Sequence, residues 1–249
     1  MPPAVFITGA GRRIGALLAD RFARQGWHVV LHVHHHVEEA TARAAAYPSA
    51  EVVQCDLQDG EAALAMVDDL AARLPDWRLL INCAAVFRFD DGKAIDPAMF
   101  AEAMAVNAAT PARMAQAFLA KARASGGRRV INFLDMKLAN PNPDFFSYTM
   151  AKHALGAATR MQAMAQPDPA DRVYGLAPGA MMPSFDQREE EHELSGRMNL
   201  LQRLTDPEEL ADAALWLSEG WMASGETLFI DSGQHLLSQP RDVLYLARQ

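Results

Sequence analysis

The sequence is poor in cysteine and has no long apolar run. Its 249 residues include only two cysteines, Cys55 and Cys83, each at the end of an apolar run. Two cysteines do not make a disulfide framework, so we expect two buried, reduced thiols. No uninterrupted apolar stretch reaches the roughly 20 residues of a membrane-spanning helix, which argues against a membrane partner.

The opening segment and the charge balance argue against two further classes of protein. The start, MPPAVFITGAG, has no basic segment and no cleavage pattern, so we expect no secretory signal peptide and a cytoplasmic protein. Lysine and arginine number 23 against 31 acidic residues, which gives a formal net charge of −8. An acidic chain is poorly suited to a phosphate backbone, so nucleic acid is not expected as a partner.

Apolar side chains are abundant and recur in a regular rhythm. Half of the residues are hydrophobic, which is ample for a substantial core. Short apolar runs predict strands over Ala4–Thr8, His28–Val33, Glu51–Gln54, Arg78–Asn82, Arg129–Leu134, Arg172–Leu176 and Thr227–Asp231. Amphipathic stretches predict helices over Arg13–Gln25, Val37–Ala46, Glu61–Leu74, roughly Pro97–Ala124, Phe146–Ala165 and Pro207–Ser218.

This alternation predicts one α/β domain over residues 1–249. We expect a Rossmann-like, doubly wound parallel sheet of about seven strands with helices on both faces, followed by a C-terminal tail, 238–249. Two segments interrupt the rhythm after strands: Asn140–Phe145 and Ala180–Met198. Each is either an active-site loop or an ordinary surface loop, and we favour a lid for the second. Within it, the acidic run Glu189–Glu193 is interpreted as a solvated helix face.

A glycine-containing loop joins the first strand to the first helix. The residues from Thr8 to Gly15 read TGAGRRIG. Glycine permits a tight turn, and a helix start offers free N–H groups and a positive dipole end to a pyrophosphate. The loop alone could be a plain strand-to-helix turn, but its place at the start of a βαβ series favours a dinucleotide site.

Histidines end the second strand where an acidic residue is usual in NAD sites. The segment His34-His35-His36 lies there, and Arg12 and Arg13 lie nearby in the first, glycine-containing loop. This charge balance suits a 2′-phosphate, so we predict NADP(H) as the cofactor. A metal site is the alternative, but no carboxylate or cysteine cluster accompanies the histidines, and we predict no metal.

Tyr148 and Lys152 lie four residues apart on a predicted helix, so they share one face. A nearby ammonium group lowers the pKa of a phenol, and a tuned phenol can protonate a substrate atom. The alternative is an amphipathic helix with a core tyrosine and an exposed lysine. The position of the pair after the fifth predicted strand, downstream of a phosphate loop, favours catalysis.

The motifs together resemble the short-chain dehydrogenase/reductase family over nearly the whole chain. They are TGxxxxxG, Asn82 at a strand end, Asn107 on the next helix, the Tyr148–Lys152 spacing and Pro178-Gly179, in this order. The resemblance implies that Tyr148 donates a proton, that Lys152 binds the nicotinamide ribose, and that Asn107 holds a relay water. The expected cofactor contacts are Gly9, Arg12, Arg13, Ile14, His34, His35, His36, Asp56, Leu57, Asn82, Ala84, Lys152, Pro178 and Gly179.

Two departures from the common family pattern indicate a subfamily. Arg13 replaces the middle glycine of the loop, and Asp135 replaces the serine thirteen residues before the tyrosine. With His32-Val33-His34 and Phe87, they resemble pteridine reductases and bacterial dihydromonapterin or dihydrofolate reductases. That resemblance implies that Arg13, Phe87, Asp135 and Tyr148 bind a pterin, although Phe87 could simply be a core residue.

The chemistry of Asp135 supports this interpretation independently. A serine hydroxyl can donate a hydrogen bond to a ketone oxygen, whereas a carboxylate cannot. A carboxylate suits a substrate with ring N–H and amino donors and a C=N bond to be reduced. Ala85 and Met181, however, replace polar residues that pteridine reductases tend to have. A flat substrate other than the usual pterins therefore stays open.

Three functions remain in view. The first is NADPH-dependent reduction of a dihydropterin, with Tyr148 and Asp135 assisting protonation. The second is an NADPH-dependent carbonyl reductase, and the third is a non-catalytic NADP-binding regulatory protein, which the set of Asn107, Tyr148 and Lys152 argues against. We expect a small-molecule substrate and a homo-oligomer, either a tetramer or a dimer. The tail 238–249 is expected to dock on a neighbouring subunit.

Overall fold

Seven parallel strands form one sheet in the computed structural model, which describes residues 2–184 and 186–249. Met1, the first residue of the expected domain, and Phe185, within the segment Ala180–Met198, lie outside the described residues. The strands are β1 Ala4–Ile7, β2 His28–Val33, β3 Ala50–Gln54, β4 Trp77–Asn82, β5 Arg129–Phe133, β6 Arg172–Pro178 and β7 Thr227–Ile230.

The strand order is β3-β2-β1-β4-β5-β6-β7. The winding direction reverses between β1 and β4, and ligands bind outside the carboxyl ends of the strands at such a reversal. Helices cover both faces, which confirms the predicted Rossmann-like fold. In the described ranges they are α1 Arg13–Arg24, α2 Val37–Ala45, α3 Gly60–Arg73, α4 Pro97–Met104, α5 Thr110–Lys121, α6 Phe146–Ala165, α7 Glu189–Gly196, α8 Pro207–Ser218 and α9 Val243–Leu246.

Alternation along β1 shows how the two core layers arise. Val5 and Ile7 face one layer, where the apolar sides of α1 and α8 pack. Ala4 and Phe6 face the other, which is closed by α3 and α5. Both faces of the strand are buried, so it reads as a continuous apolar run, as strands of parallel sheets do.

The predicted long helix, roughly Pro97–Ala124, is interrupted. A π-helical turn, Ala105–Ala109, separates α4 from α5, and α5 already ends at Lys121. Pro111 has no N–H, so it cannot bond the carbonyl of Asn107 four residues earlier, and the turn widens at that point. The interruption places Asn107 at an irregular turn beside the end of β4.

The C-terminal tail packs on its own chain at Asp144, and its docking on a neighbouring subunit stays a prediction. Asp144 is buried and accepts hydrogen bonds from Arg241 Nε at 2.7 Å and from the Asp242 N–H at 2.8 Å. Short α9 then packs beside α7. The physical reason is local: the buried Asp144 carboxylate needs donors, and the tail supplies them.

Helix α7 lies in the segment Ala180–Met198 and corrects one detail of the acidic run. Glu189, Glu190 and Glu193 are exposed as expected, but Glu191 is buried. Its carboxylate accepts hydrogen bonds from Arg188 within the segment and from Arg248 of the tail. No helix within the described residues is both long and apolar enough to cross a bilayer.

Candidate active site

A cavity of about 730 Å³ lies outside the carboxyl ends of the central strands. Most residues predicted for the site line it: Gly9, Arg12, Arg13, Ile14, His34, Asp56, Leu57, Ala84, Phe87, Asp135, Tyr148, Lys152, Pro178 and Gly179. The side chains of Asn82, Asn107, His35 and His36 lie outside that lining. The apolar Ala85 and Met181 are also part of the wall.

Close backbone approach explains two glycines of the first loop. Gly9 has φ +68°, and a Cβ there would lie 2.9 Å from Ala84 Cα. A Cβ on Gly15 would collide with the Gly9 carbonyl oxygen. Arg13 has φ +51°, a left-handed conformation that favours glycine. Arg13 therefore has a backbone conformation that is typical of glycine, and its side chain adds a cation to the cavity wall.

The start of α1 fits the pyrophosphate of a dinucleotide. Among the described residues, none caps this helix with a side-chain hydrogen bond, and its first turn contains no acidic residue. The first N–H groups of a helix have no partner inside it, and together with the dipole they attract an anion. Arg12 and Arg13 add two positive charges at the same wall of the cavity.

His32, which the sequence analysis used only as part of a motif, supports the glycine loop. Its Nδ1 accepts the Gly9 N–H at 3.2 Å, and its Nε2 lies 3.0 Å from the Cys55 carbonyl oxygen. This pattern requires a neutral ring with the proton on Nε2. Burial lowers the pKa of His32 to about 4, so the ring stays neutral at physiological pH. His32 thereby ties the first loop to the end of β3.

Only His34 of the three consecutive histidines lines the cavity. Its Nε2 lies 3.8 Å from Asp56, and the ring of His35 stacks on it with 3.7 Å between centroids. His36 immediately precedes α2 with φ +60°, and its Nδ1 lies 3.6 Å from Glu39. The reason is geometric: the chain turns into α2 at His36, so three adjacent side chains do not point into one cavity. Arg12 pairs with Glu39 and also remains in the wall.

Asn82 and Asn107 are buried behind the cavity wall. Asn82 Nδ2 donates to Asn132 Oδ1 at 2.8 Å, across two neighbouring strands. Asn107 Oδ1 accepts from the Val86 N–H at 2.8 Å, and its Nδ2 donates to the Val86 carbonyl oxygen at 2.9 Å. Asn107 therefore holds the backbone of Val86, which lines the cavity, whereas Asn82 links β4 to β5. Their expected roles towards a cofactor and a relay water stay predictions.

Asp135 and Tyr148 form a hydrogen-bonded pair at the cavity wall. The tyrosine hydroxyl donates to Asp135 Oδ2 at 2.9 Å, and the Lys137 N–H donates to Oδ1 at 2.9 Å. Burial raises the pKa of Asp135. Burial first, and then the adjacent carboxylate, raise the pKa of Tyr148 well above 10. At neutral pH the tyrosine is therefore a protonated phenol that can donate a proton.

Lys152 is buried, in contrast to the alternative of an exposed lysine on an amphipathic helix. Its Nζ donates to the Phe133 carbonyl oxygen at 2.6 Å and lies 5.6 Å from the centre of the Tyr148 ring. Burial lowers the pKa of Lys152 to about 8. An ammonium group held in this way remains largely protonated at pH 7 and can donate to a ligand in the cavity.

Asp90 is a positioning residue that the sequence analysis missed. Its carboxylate accepts the Ser147 N–H at 3.0 Å and also the Ser147 hydroxyl. These bonds fix the first turn of α6, immediately before Tyr148. Asp90 follows the expected aromatic Phe87 by three residues, but no sequence pattern connects it to a helix start 56 residues later.

Phe87 is 40 % exposed, so it is not a core residue. Its ring stacks on Phe145 with 4.1 Å between centroids and meets the Tyr148 ring edge-on at 4.7 Å. It lines the cavity close to the Asp135–Tyr148 pair. The geometry leaves an aromatic surface beside the proton donor, which suits a flat ligand.

Comparisons with known proteins agree with this architecture. The family model described as Enoyl-(Acyl carrier protein) reductase, adh_short_C2, matches residues 9–235. A putative ketoacyl reductase 2 of the granaticin polyketide synthase from Streptomyces violaceoruber is 28% identical over 94% of this chain and 97% of its own length. Pteridine reductase 1 from Leishmania tarentolae is 25% identical over 94% of this chain and 96% of its own length.

Solved structures extend the comparison. The chain resembles FolM alternative dihydrofolate reductase 1 from Brucella canis in complex with NADP, with 32% identity, 96% coverage of each chain and a TM-score of 0.88. The corresponding Brucella suis complex with NADP has 32% identity, a TM-score of 0.89, and covers 95% of this chain and 96% of that one. These matches confirm what the motifs predicted: the chain is an oxidoreductase that belongs to the short-chain dehydrogenase/reductase family.

Proposed function

We propose that the chain is an NADPH-dependent reductase of a dihydropterin, with a substrate like dihydromonapterin or dihydrofolate. The observation that carries the proposal is the Asp135 carboxylate, which lines the cavity and accepts a hydrogen bond from Tyr148. A carbonyl substrate offers lone pairs and no donors, so it gains nothing from a carboxylate. A reduced pterin offers ring N–H and amino donors, which a carboxylate binds well.

The residues around Asp135 give each group a role in protonation. When bound, NADPH supplies the hydride that reduces the C=N bond. Tyr148 donates its phenolic proton to the ring nitrogen, because its raised pKa keeps that proton in place until the nitrogen gains basicity. The ammonium of Lys152 then stabilises the phenolate, and a solvent proton restores the tyrosine. Phe87 and Arg13 hold the flat ring.

Several observations support NADP(H) over NAD(H). Arg12, Arg13 and His34 line the cavity at its nucleotide end, and β2 ends without the acidic residue usual in NAD sites. The two FolM structures contain NADP. Glu39 opposes this preference because it pairs with Arg12, so the 2′-phosphate has to compete for that guanidinium.

The functions of the relatives support two substrate classes. FolM and pteridine reductase 1 support a pterin or folate substrate, whereas the granaticin relative supports a second candidate, an NADPH-dependent ketone reductase. Asp135 favours the first. We also propose that the protein acts in the cytoplasm as a homodimer or homotetramer, and the exposed Met161 and Met164 on α6 are apolar surface of the kind that subunits bury.

One experiment tests the function. NADPH oxidation is followed at 340 nm with a dihydropterin, with dihydrofolate and with a panel of ketones. The proposal is supported if the wild type turns over the pterin or the folate and the variant Tyr148→Phe does not. Turnover of ketones alone would establish the second candidate, and tight NADPH binding without any turnover would indicate a non-catalytic binding protein.

The variant Asp135→Ser tests the role of the carboxylate directly. It restores the hydroxyl that is common in the family, so we expect pterin turnover to fall by at least tenfold and ketone turnover to appear or rise. NADPH affinity, measured by the quenching of tryptophan fluorescence, should change little. Equal losses in pterin turnover and NADPH affinity would contradict the substrate role of Asp135.

A further inference from the structure

Lys137 and Asp242 form an ion pair in the wall of the cavity. Lys137 Nζ lies 2.6 Å from Asp242 Oδ2, and the exposed fractions of the two side chains are only 6% and 14%. Lys137 follows β5 two residues after Asp135, whereas Asp242 belongs to the C-terminal tail. The family motifs described above include neither residue. A buried charge pair needs a reason, because taking both ions out of water is unfavourable.

The pair adjoins the proposed proton donor. The Lys137 N–H already donates to Asp135, and the Lys137 side chain runs to the tail beneath the ring of Phe145, 5.0 Å from its centre. Asp242 and its neighbours Val243 and Leu244 line the same cavity as Asp135 and Tyr148. The tail therefore forms part of the wall around the proposed substrate site.

The titratable groups that act on Asp135 come from three parts of the fold. Tyr148 and Lys152 approach it from α6, Lys137 from the turn after β5, and Asp242 from the tail. The ammonium of Lys137 lowers the pKa of Asp135, whereas Asp242 raises it. Burial raises the same pKa and is the largest influence. The two members of the ion pair thus act on Asp135 in opposite directions.

The remaining neighbours act on Lys137 or Tyr148. Asp144, in the loop before α6, accepts a hydrogen bond from Lys137 Nζ through its carbonyl oxygen at 3.2 Å, and its carboxylate binds Arg241. Cys83, directly after β4, lines the same cavity as Tyr148 and Lys152. His153 Nε2 lies 3.2 Å from the Lys137 carbonyl oxygen.

We propose that Lys137 and Asp242 are a pair of positioning residues that set the charge of Asp135, which makes the C-terminal tail a working part of the active site. Lys137 favours the ionised carboxylate that binds substrate donors. Asp242 anchors Lys137 and moderates its field, so that Asp135 is neither fixed as an anion nor neutralised by burial. The benefit for substrate binding rests on the proposed function, but the effect of the ion pair on the charge of Asp135 does not.

The test measures Asp135 directly in the ligand-free protein. A ¹³C carboxyl titration by NMR, assigned with Asp135→Asn, is recorded for the wild type, Lys137→Met and Asp242→Asn. We expect the pKa of Asp135 to rise in Lys137→Met and to fall in Asp242→Asn, each by on the order of one unit. Lys137→Arg keeps the charge and should return the pKa close to the wild-type value.

A purely structural ion pair would give a different result. Loss of either member would lower the melting temperature and leave the pKa of Asp135 unchanged, or move it in the same direction in both variants. Either outcome would overturn the proposal. If Lys137→Met does not fold, Asp242→Asn decides alone, since it keeps the size of the side chain and must lower the pKa.

The pair Arg128–Asp171, at the amino ends of β5 and β6 and away from the cavity, provides the matched control. Arg128→Met and Asp171→Asn remove the same charges, and we expect them to lower the melting temperature without moving the pKa of Asp135. The acid limb of kcat/KM for the dihydropterin should follow the NMR values. If the pKa of Asp135 moves in opposite directions in Lys137→Met and Asp242→Asn but no pterin is turned over, only the proposed function is refuted. If pterin is turned over but these pKa changes are absent, only the role of the ion pair is refuted.

Discussion

Replacing Lys152 by methionine is expected to stabilise the folded chain near neutral pH while it destroys the proposed active site. Lys152 is an ammonium group on a buried helix face, and it makes one hydrogen bond, to the Phe133 carbonyl oxygen. Burial lowers its pKa from 10.5 to about 8. The folded state therefore binds the lysine proton less strongly than the unfolded chain does.

The size of the effect follows from that difference. A gap of about 2.5 units corresponds to about 3 kcal/mol in the free energy of unfolding. Loss of the hydrogen bond to Phe133 leaves a buried carbonyl unpaired and offsets about 1 kcal/mol. Methionine has a similar length and no charge. We therefore expect Lys152→Met to be more stable than the wild type by about 2 kcal/mol at pH 7.

The pH dependence distinguishes this cause from improved packing. Below pH 8 both states of the wild type are protonated at Lys152, so the penalty is fully present. Between pH 8 and about 10.5 the folded lysine loses its proton while the unfolded one keeps it, and the penalty fades. The advantage of Lys152→Met should therefore be constant below pH 8 and shrink as the pH rises towards 10.5.

Urea denaturation followed by tryptophan fluorescence, at several pH values from 6.5 to 10, measures this difference. Lys152→Arg serves as the control, because it retains a buried cation and should not be stabilised. A variant Lys152→Met that is less stable than the wild type at pH 7, or an advantage that does not change with pH, would refute the argument from burial. Pterin turnover should be lost in Lys152→Met at every pH.

Three further changes test other parts of the site. Gly15→Ala puts a methyl group against the Gly9 carbonyl oxygen and should raise the Kd of NADPH, measured by fluorescence titration, at least tenfold. The control Gly92→Ala should not change this Kd, because the nearest atom to its added methyl group is 3.8 Å away. Glu39→Gln frees Arg12 and should tighten NADPH binding about threefold without affecting NADH; an equal gain for both cofactors would contradict the competition with the 2′-phosphate. Asp90→Ala removes the carboxylate that accepts the two hydrogen bonds from Ser147 at the start of α6, so it should lower the free energy of unfolding by about 1–2 kcal/mol. It should also lower kcat more than it changes KM. An unchanged kcat would show that Asp90 does not position Tyr148.

The sheet could be predicted from the sequence because its strands are buried on both faces. A strand such as β1 then appears as a short apolar run, and the helices between the runs show a period of 3.6 residues. The π-helical turn at Ala105–Ala109 was not predicted, although Pro111, which lacks an N–H, indicated an interruption of the helix. Periodicity averages over many residues, and a single missing N–H hardly changes the pattern.

The site was predictable where motif residues are close in sequence. Tyr148 and Lys152 share one helix, and their common face follows from their spacing. The histidine cluster was a weaker guide, because the local turn at His36 decides which rings face the cavity, and spacing does not reveal that turn. The tail contacts could not be predicted, since Asp144 and Arg241 lie almost one hundred residues apart and no local rule connects them.

The contacts of Asp135 also limit which ligands it can hold. A carboxylate has about four lone-pair sites for hydrogen bonds. The protein occupies two of them, through the Tyr148 hydroxyl on Oδ2 and the Lys137 N–H on Oδ1. One site on each oxygen is then left for the cavity, so the carboxylate suits a ligand that presents two donors side by side. A ketone presents none, whereas a ring N–H beside an amino group presents both, and this pairing is the reason that a buried acid can select a nitrogen heterocycle.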